Sequence, residues 1–230
     1  MSEFKLVTCR ELPVAKIGHK YYILDTLWMG TKIGGSVMID GTDWADLTGT
    51  RSTEEEQANW SRAIGAHIDG VLGSDFLCGF HTVIDYRGGK LSLSRNVHDF
   101  GGVTIQGLDA SLRPVVDMTV SGEQKRVLLS TGFGISYFRN FCGSSNDWVL
   151  CEYSDGASLQ APHVTEVFRV AAFWGPSRIN LRIGKSLPPG LDDFLSELNV
   201  DGVVGYDFFR KFKVGLNTFG ASFTVCESNG

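Results

Sequence analysis

The feature that most constrains this chain is a stretch of sequence that recurs at a fixed offset of 132 residues. Residues 69–77 read Asp-Gly-Val-Leu-Gly-Ser-Asp-Phe-Leu, and residues 201–209 read Asp-Gly-Val-Val-Gly-Tyr-Asp-Phe-Phe. The match continues at the same offset, since Phe80 aligns with Phe212 and the turn glycine of one copy with that of the other. Each copy therefore predicts a buried strand, a short helical turn and a β-hairpin with a glycine turn. A repeat of this length predicts two similar lobes.

The rest of the chain favours an all-β protein with short helices. Short apolar runs alternate with glycine turns, and 28 glycines stand against 6 prolines. A polar, glycine-containing stretch at Arg95–Gly102 separates a first lobe (1–97) from a second lobe (103–230). Two short helices are expected. One spans Ser52–Ile64, with Ser52 or Thr53 as its cap and Glu55 or Glu56 behind it, and the other spans Leu191–Leu198.

Composition excludes several classes of protein. Of the 230 residues, 43% are hydrophobic and 11% aromatic, which is enough to form a core and rules out intrinsic disorder. The net charge of −5, without a basic run, argues against a nucleic-acid partner. No apolar stretch is long enough to predict a membrane span. The amino-terminal residues lack the pattern of a signal peptide, which favours a cytoplasmic location without fixing it.

The five cysteines predict no metal site. Cys9, Cys78, Cys142, Cys151 and Cys226 include no Cys-x-x-Cys pair and no Cys/His cluster with zinc spacing, so we expect neither zinc nor any other cofactor. Two readings of these cysteines stay open. They are buried thiols in a reducing compartment, or Cys142 and Cys151 bridge a hairpin in an oxidising one.

The repeated unit, with its apolar strand, Gly-x-x-Gly, acidic residue and hairpin, resembles the closing half of a retropepsin-like or pepsin-like aspartic peptidase lobe. In that family each lobe also has an earlier strand that ends in Asp-Thr-Gly. The corresponding stretch of the second lobe reads Ser130-Thr131-Gly132, so Ser130 stands where the family carries its catalytic aspartate. The resemblance covers most of Val103–Gly230 and at least His67–Leu93. It implies a bilobal, acid-protease-like β-barrel fold.

The first lobe offers Asp25 as a tentative partner of Ser130. Apolar residues lead into Asp25-Thr26, as in the family strand, but Leu27 replaces the glycine, and Gly70 follows after only 44 residues. A second alternative is equally open: residues 1–65 form the later part of a lobe, and the catalytic strand is absent. Taken alone, Asp25 is better explained as a solvated or capping aspartate.

The chemistry of this family makes Ser130 decisive. Aspartic peptidases use two carboxylates that share one proton, one as base and one as acid. A serine hydroxyl does not ionise near neutrality, so the resemblance implies an impaired catalytic site that binds a peptide or protein partner between the lobes. Two alternatives remain: an active endopeptidase, with Ser130 an engineered change or another carboxylate compensating, and a structural or assembly module. No histidine lies in a triad motif, which argues against a serine hydrolase.

By resemblance, the ligand would lie against Thr131, Gly132 and a flap that contains Tyr153, Asp155 and Gly156. The strand after the flap is expected within Val164–Phe173. Three aromatic residues either line the cleft or belong to the core: Phe133, Tyr137 and Trp174. Retropepsin-like lobes often dimerise, so a homodimer is conceivable, although the repeat suggests that one chain supplies both lobes.

Overall fold

The structure is a computed structural model. It describes residues 1–35, 37–39, 41–44, 51–106, 113–141, 148–155 and 163–227, and for 148–155 it describes the backbone. Strands make up 51% of the chain and helices 14%, so the all-β prediction is confirmed. The strands in chain order are β1 (Ser2–Cys9), β2 (Leu12–Ile17), β3 (Lys20–Asp25), β4 (Lys32–Ile33), β5 (Met38–Ile39), β6 (Thr42–Asp43), β7 (Gly70–Gly73), β8 (His81–Asp85), β9 (Lys90–Ser94), β10 (Val103–Gln106), β11 (Val115–Val120), β12 (Glu123–Leu129), β13 (Ser136–Phe138), β14 (Trp148–Asp155), β15 (His163–Trp174), β16 (Ser177–Gly184), β17 (Gly202–Val204), β18 (Phe212–Asn217) and β19 (Ser222–Glu227).

The helices are short, as the sequence predicts. They are α1 (Glu54–Ile64), α2 (Ser74–Leu77), α3 (Leu191–Glu197) and α4 (Tyr206–Phe209). Thr53 caps α1 and forms a capping box with Glu56: the Thr53 hydroxyl accepts from the Glu56 N–H, and the Glu56 carboxylate accepts from the Thr53 N–H. The N-cap prediction is therefore confirmed for Thr53 and Glu56.

Two large sheets contain most of the strands. One has the order β10-β19-β18-β8-β9-β1-β2-β3-β7-β4, and the other has the order β11-β12-β17-β13-β16-β15-β14. The first sheet takes strands from both sides of the 95–102 stretch, because β8 pairs with β18 antiparallel. The largest cluster of buried apolar side chains likewise draws on both halves, from Leu6 to Val225. The proposed lobe boundary stays a prediction.

The repeat in sequence is a repeat in structure. β7, α2, β8 and β9 recur in the same order as β17, α4, β18 and β19, with α4 displaced from α2 by the same 132 residues. The preceding strands also correspond: β3 runs parallel to β7, and β12 runs parallel to β17. Each of these strands follows a hairpin partner, β2 and β11 respectively. The early part of the chain therefore has the strand and turn of the first alternative above.

The halves differ between these matching strands. In the second half, β14, β15 and β16 form an antiparallel meander that joins the sheet beside β13. In the described part of the first half, the corresponding region holds β4, the small β5–β6 pair and α1. Side chains near the end of β3 consequently lack the cover that the meander gives their counterparts. No helix in the described part of the chain is long and apolar enough to cross a membrane.

Candidate functional site

Asp25 lies at the end of β3, where the strand turns back across the sheet. Its register partner on β7 is Gly73. The carboxylate oxygen Oδ1 accepts hydrogen bonds from the backbone N–H of Leu27 at 2.8 Å and of Trp28 at 3.2 Å. The residue is 8% exposed. Asp25 thus caps its own turn, as the sequence favours, but it is buried rather than solvated.

Ser130 occupies the equivalent place in the second half. It follows the last residue of β12, and its N–H donates to the Val204 carbonyl at 3.0 Å, which extends the pairing of β12 with β17. Its hydroxyl oxygen accepts from the Gly132 N–H at 3.1 Å and is buried. Ser130 therefore makes the kind of turn contact that Asp25 makes, with a side chain that carries no charge.

The turns that carry Asp25 and Ser130 are joined by reciprocal hydrogen bonds. The Thr26 N–H donates to the Thr131 hydroxyl at 3.0 Å, and the Thr131 N–H donates to the Thr26 hydroxyl at 3.1 Å. The Thr131 hydroxyl also donates to the Leu24 carbonyl at 2.9 Å. All of these groups are buried. The two turns are thus related by an approximate local two-fold axis that passes between the two threonines.

Gly132 lies directly against the Asp25 carboxyl group. A Cβ atom built on Gly132 would stand 2.4 Å from Asp25 Oδ1 and 2.5 Å from both Cγ and Oδ2. Such approaches are too close for any side chain. The structure therefore brings Asp25, Ser130, Thr131 and Gly132 into one buried site, which needs glycine at 132.

The electrostatics of this site centre on one carboxyl group. Burial raises the pKa of Asp25, while the hydrogen bonds from Leu27 and Trp28 and the positive charge of Arg113 act in the opposite direction. Arg113 is itself buried, and its guanidinium lies 5.0 Å from the centroid of the Phe194 ring. The site thus holds a single carboxyl group beside a hydroxyl, in a setting that favours the protonated acid.

Replacing Asp25 with asparagine should change the pH dependence of stability. Because the pKa is higher in the folded chain, protonation of Asp25 contributes stability below the unfolded pKa of about 3.9, and this is lost as the pH rises through the folded pKa. Asparagine does not ionise. The melting temperature of Asp25→Asn relative to the unaltered chain is therefore expected to rise between acidic and neutral pH, measured by calorimetry. Asp193→Asn, at an exposed carboxylate, controls for net charge. A pH-independent difference for Asp25→Asn would contradict this.

The predicted flap residues are placed only in part. Tyr153 and Asp155 lie on β14, where their backbones pair with Thr165 and His163 on β15. Gly156 lies outside the described residues, as does Cys142. The expected strand after the flap is β15.

The aromatic residues considered for the cleft belong to the packed interior. Phe133 and Tyr137 are buried against each other, with ring centroids 5.7 Å apart. Trp174 packs edge-on against Phe208 and Phe212. Core packing therefore accounts for all three.

Sequence reasoning missed two exposed apolar side chains next to Asp25. Trp28 is 39% exposed and Met29 54% exposed. Their backbone is fixed, because the Trp28 carbonyl accepts from both the N–H and the hydroxyl of Ser74. The matching residue in the second half, Phe133, is buried. An alignment of the two turns, at an offset of 105 residues, would have identified Trp28 as the counterpart of a core aromatic residue.

Neither comparison of this chain with known proteins identifies a family: no protein-family model matches it, and no curated protein matches it significantly. Among the described residues, no group of three or more His, Cys, Asp or Glu side chains could hold a metal ion. Cys9, Cys78 and Cys226 are free thiols.

Proposed function

We propose that this chain is a bilobal protein with an aspartic-peptidase-like fold, and that it binds an extended peptide or protein segment beside Asp25 without hydrolysing it efficiently. The observation that carries the proposal is the reciprocal hydrogen bonding of Thr26 and Thr131, which sets Asp25 and Ser130 at equivalent positions of two facing turns. The same arrangement supports the resemblance of both turns to the Asp-Thr-Gly motif.

The lack of hydrolysis follows from the chemistry at position 130. Peptide hydrolysis by a carboxylate pair needs one group to accept the proton of water while the other donates to the carbonyl oxygen. Asp25 can fill one of these roles at a time, and the Ser130 hydroxyl is not a base near neutral pH. Loss of matched acid–base chemistry costs about 10²–10⁴-fold in rate.

Binding survives this loss, because it depends on shape and backbone pairing. A protonated Asp25 offers a donor to a peptide carbonyl, and the exposed Trp28 and Met29 side chains offer apolar contact beside it. The backbone hydrogen bonds to Ser74 hold both side chains in place, so little entropy is lost when a ligand packs on them.

The proposal is tested with a fluorescent library of extended peptides, from about pH 3 to about pH 7. We expect saturable binding measured by anisotropy, no pepstatin-sensitive cleavage, and at least about tenfold weaker binding by Trp28→Ala, equivalent to about 1.4 kcal/mol. Phe219→Ala is the matched control, since Phe219 is an exposed aromatic residue at 63% in the β18–β19 turn.

Each other outcome would overturn the proposal. Pepstatin-sensitive cleavage by the unaltered chain would establish the active endopeptidase instead. Absence of saturable binding to any peptide would leave the structural or assembly role. Equal losses of affinity for Trp28→Ala and Phe219→Ala would move the binding surface away from Asp25.

A further inference from the structure

Two residues depart from the Asp-Thr-Gly pattern, and they lie on opposite turns. The first turn keeps the aspartate and has Leu27 in place of glycine, whereas the second keeps Gly132 and has Ser130 in place of aspartate. Three further contacts show how closely the turns correspond. The Trp28 carbonyl accepts from Ser74 N–H as Phe133 accepts from Tyr206, at 2.7 and 2.9 Å.

The remaining pairs of contacts follow the same rule. The Thr31 hydroxyl accepts from the Gly73 N–H at 2.8 Å, and the Ser136 hydroxyl accepts from the Gly205 N–H at 3.4 Å. The local two-fold axis therefore relates the surroundings of Asp25 to those of Ser130. Since the Asp25 carboxyl lies against the α-carbon of Gly132, the side chain at 130 faces position 27 in the same way.

Packing supports this placement of Leu27. Its side chain packs against a cluster of buried apolar residues that includes Leu128 and Phe133, which precede and follow the Ser130 turn. A Cβ at the position facing Asp25 would lie 2.4–2.5 Å from the carboxyl atoms. A carboxylate at position 130 would meet the Cβ of Leu27 at a comparable distance, whereas the shorter serine side chain avoids it.

From this we infer that Leu27 and Ser130 form a compensated pair: Leu27 occupies the space that a second carboxyl group would need, so the site is restricted to one carboxylate by sterics as well as by the identity of residue 130. Leu27 is thus a positioning residue that touches no ligand. The inference rests on the correspondence of turns used in the proposed function, but not on peptide binding.

A double-mutant cycle tests the pair. We compare the melting temperatures of Ser130→Asp, Leu27→Gly and the double variant, with no peptide present. Ser130→Asp alone is expected to lower the melting temperature by about 2–10 °C through overpacking and burial of a charge, and by clearly less in the Leu27→Gly background. Leu27→Ala, which keeps the Cβ, should relieve the Ser130→Asp loss less than glycine does.

Activity gives a second measurement on the same variants. Hydrolysis of a peptide adds water across the C–N bond, with the hydroxyl on the carbonyl carbon and a proton on the leaving amine, and it needs both carboxylates. The double variant is expected to cleave the peptide library about 10²–10⁴-fold faster than Ser130→Asp alone, and Asp25→Asn should abolish the gain.

Equal melting-temperature losses for Ser130→Asp in the Leu27 and Leu27→Gly backgrounds would overturn the inference. So would cleavage by Ser130→Asp alone at the rate of the double variant. The cycle is measured without ligand, so its failure is distinguishable from a failure of the peptide-binding assay that tests the proposed function.

Discussion

Arg182→Met is expected to lower the free energy of unfolding by about 3–5 kcal/mol, because it leaves a buried carboxylate without its cation. Asp207, on α4, is buried, and it accepts from the Arg182 backbone N–H at 2.8 Å and from Nε at 3.1 Å. The guanidinium also donates to the Gly134 carbonyl at 3.0 Å and to Glu11 of the β1–β2 turn. One side chain therefore ties the first half to the turn after Ser130.

Urea unfolding monitored by fluorescence and circular dichroism measures this loss. Lys90→Met is the matched control, because Lys90 forms an exposed ion pair with Glu3 at 3.0 Å, worth at most about 1 kcal/mol. Adding Asp207→Asn to Arg182→Met should recover part of the stability, since it removes the uncompensated charge. Equal, small losses for Arg182→Met and Lys90→Met would show that the Arg182 contacts contribute little.

The elements of this fold that depend on neighbouring residues could be predicted from the sequence. The β8–β9 hairpin turns at Gly88 and Gly89, and α1 begins at a capping box contained within four residues. The 132-residue repeat appears in the sequence because the segment from β7 to β9 has the same length in both halves. Local turn chemistry and local helix caps decide such elements, so no tertiary information is needed.

The candidate site could not be predicted in the same way, because it depends on an interruption of the repeat. Ser130 precedes Gly205 by 75 residues, whereas Asp25 precedes Gly73 by 48. The difference accommodates the β14–β16 meander, which has no counterpart in the described part of the first half. A comparison at one fixed offset therefore aligns the closing units and not the turns. The facing of Asp25 and Ser130 is fixed by strand pairing between distant residues.

The charged side chains around the site were also beyond sequence reasoning. Arg182 lies in β16, 25 residues before Asp207, and contacts Glu11 from the other half of the chain. Arg113 lies outside every motif, yet its charge acts on Asp25. An arginine in a polar stretch is more often exposed, so only the packing of Arg113 against Phe194 reveals its burial.

Thr131→Val is expected to cost about 2–5 kcal/mol, although valine has nearly the same shape as threonine. The change removes one hydroxyl that serves two buried backbone groups: it accepts from the Thr26 N–H and donates to the Leu24 carbonyl. Each buried group left without a partner costs about 1–3 kcal/mol. Because both groups belong to the first half, the loss should weaken the joint between the two turns in addition to β12.

Thr104→Val is the matched control for that prediction. The Thr104 hydroxyl meets the Thr224 hydroxyl at 3.0 Å across β10 and β19, but both are accessible to water, which replaces the lost partner. We expect the control to change the free energy of unfolding by no more than about 0.5 kcal/mol. Comparable losses for the two variants would mean that the reciprocal threonine bonds do not hold the turns together. A large loss for Thr131→Val, with exposure of the Thr26 amide to hydrogen exchange, locates the weakened contact at the site itself, where Asp25 and Gly132 must stay in contact for a ligand to meet a fixed carboxyl group.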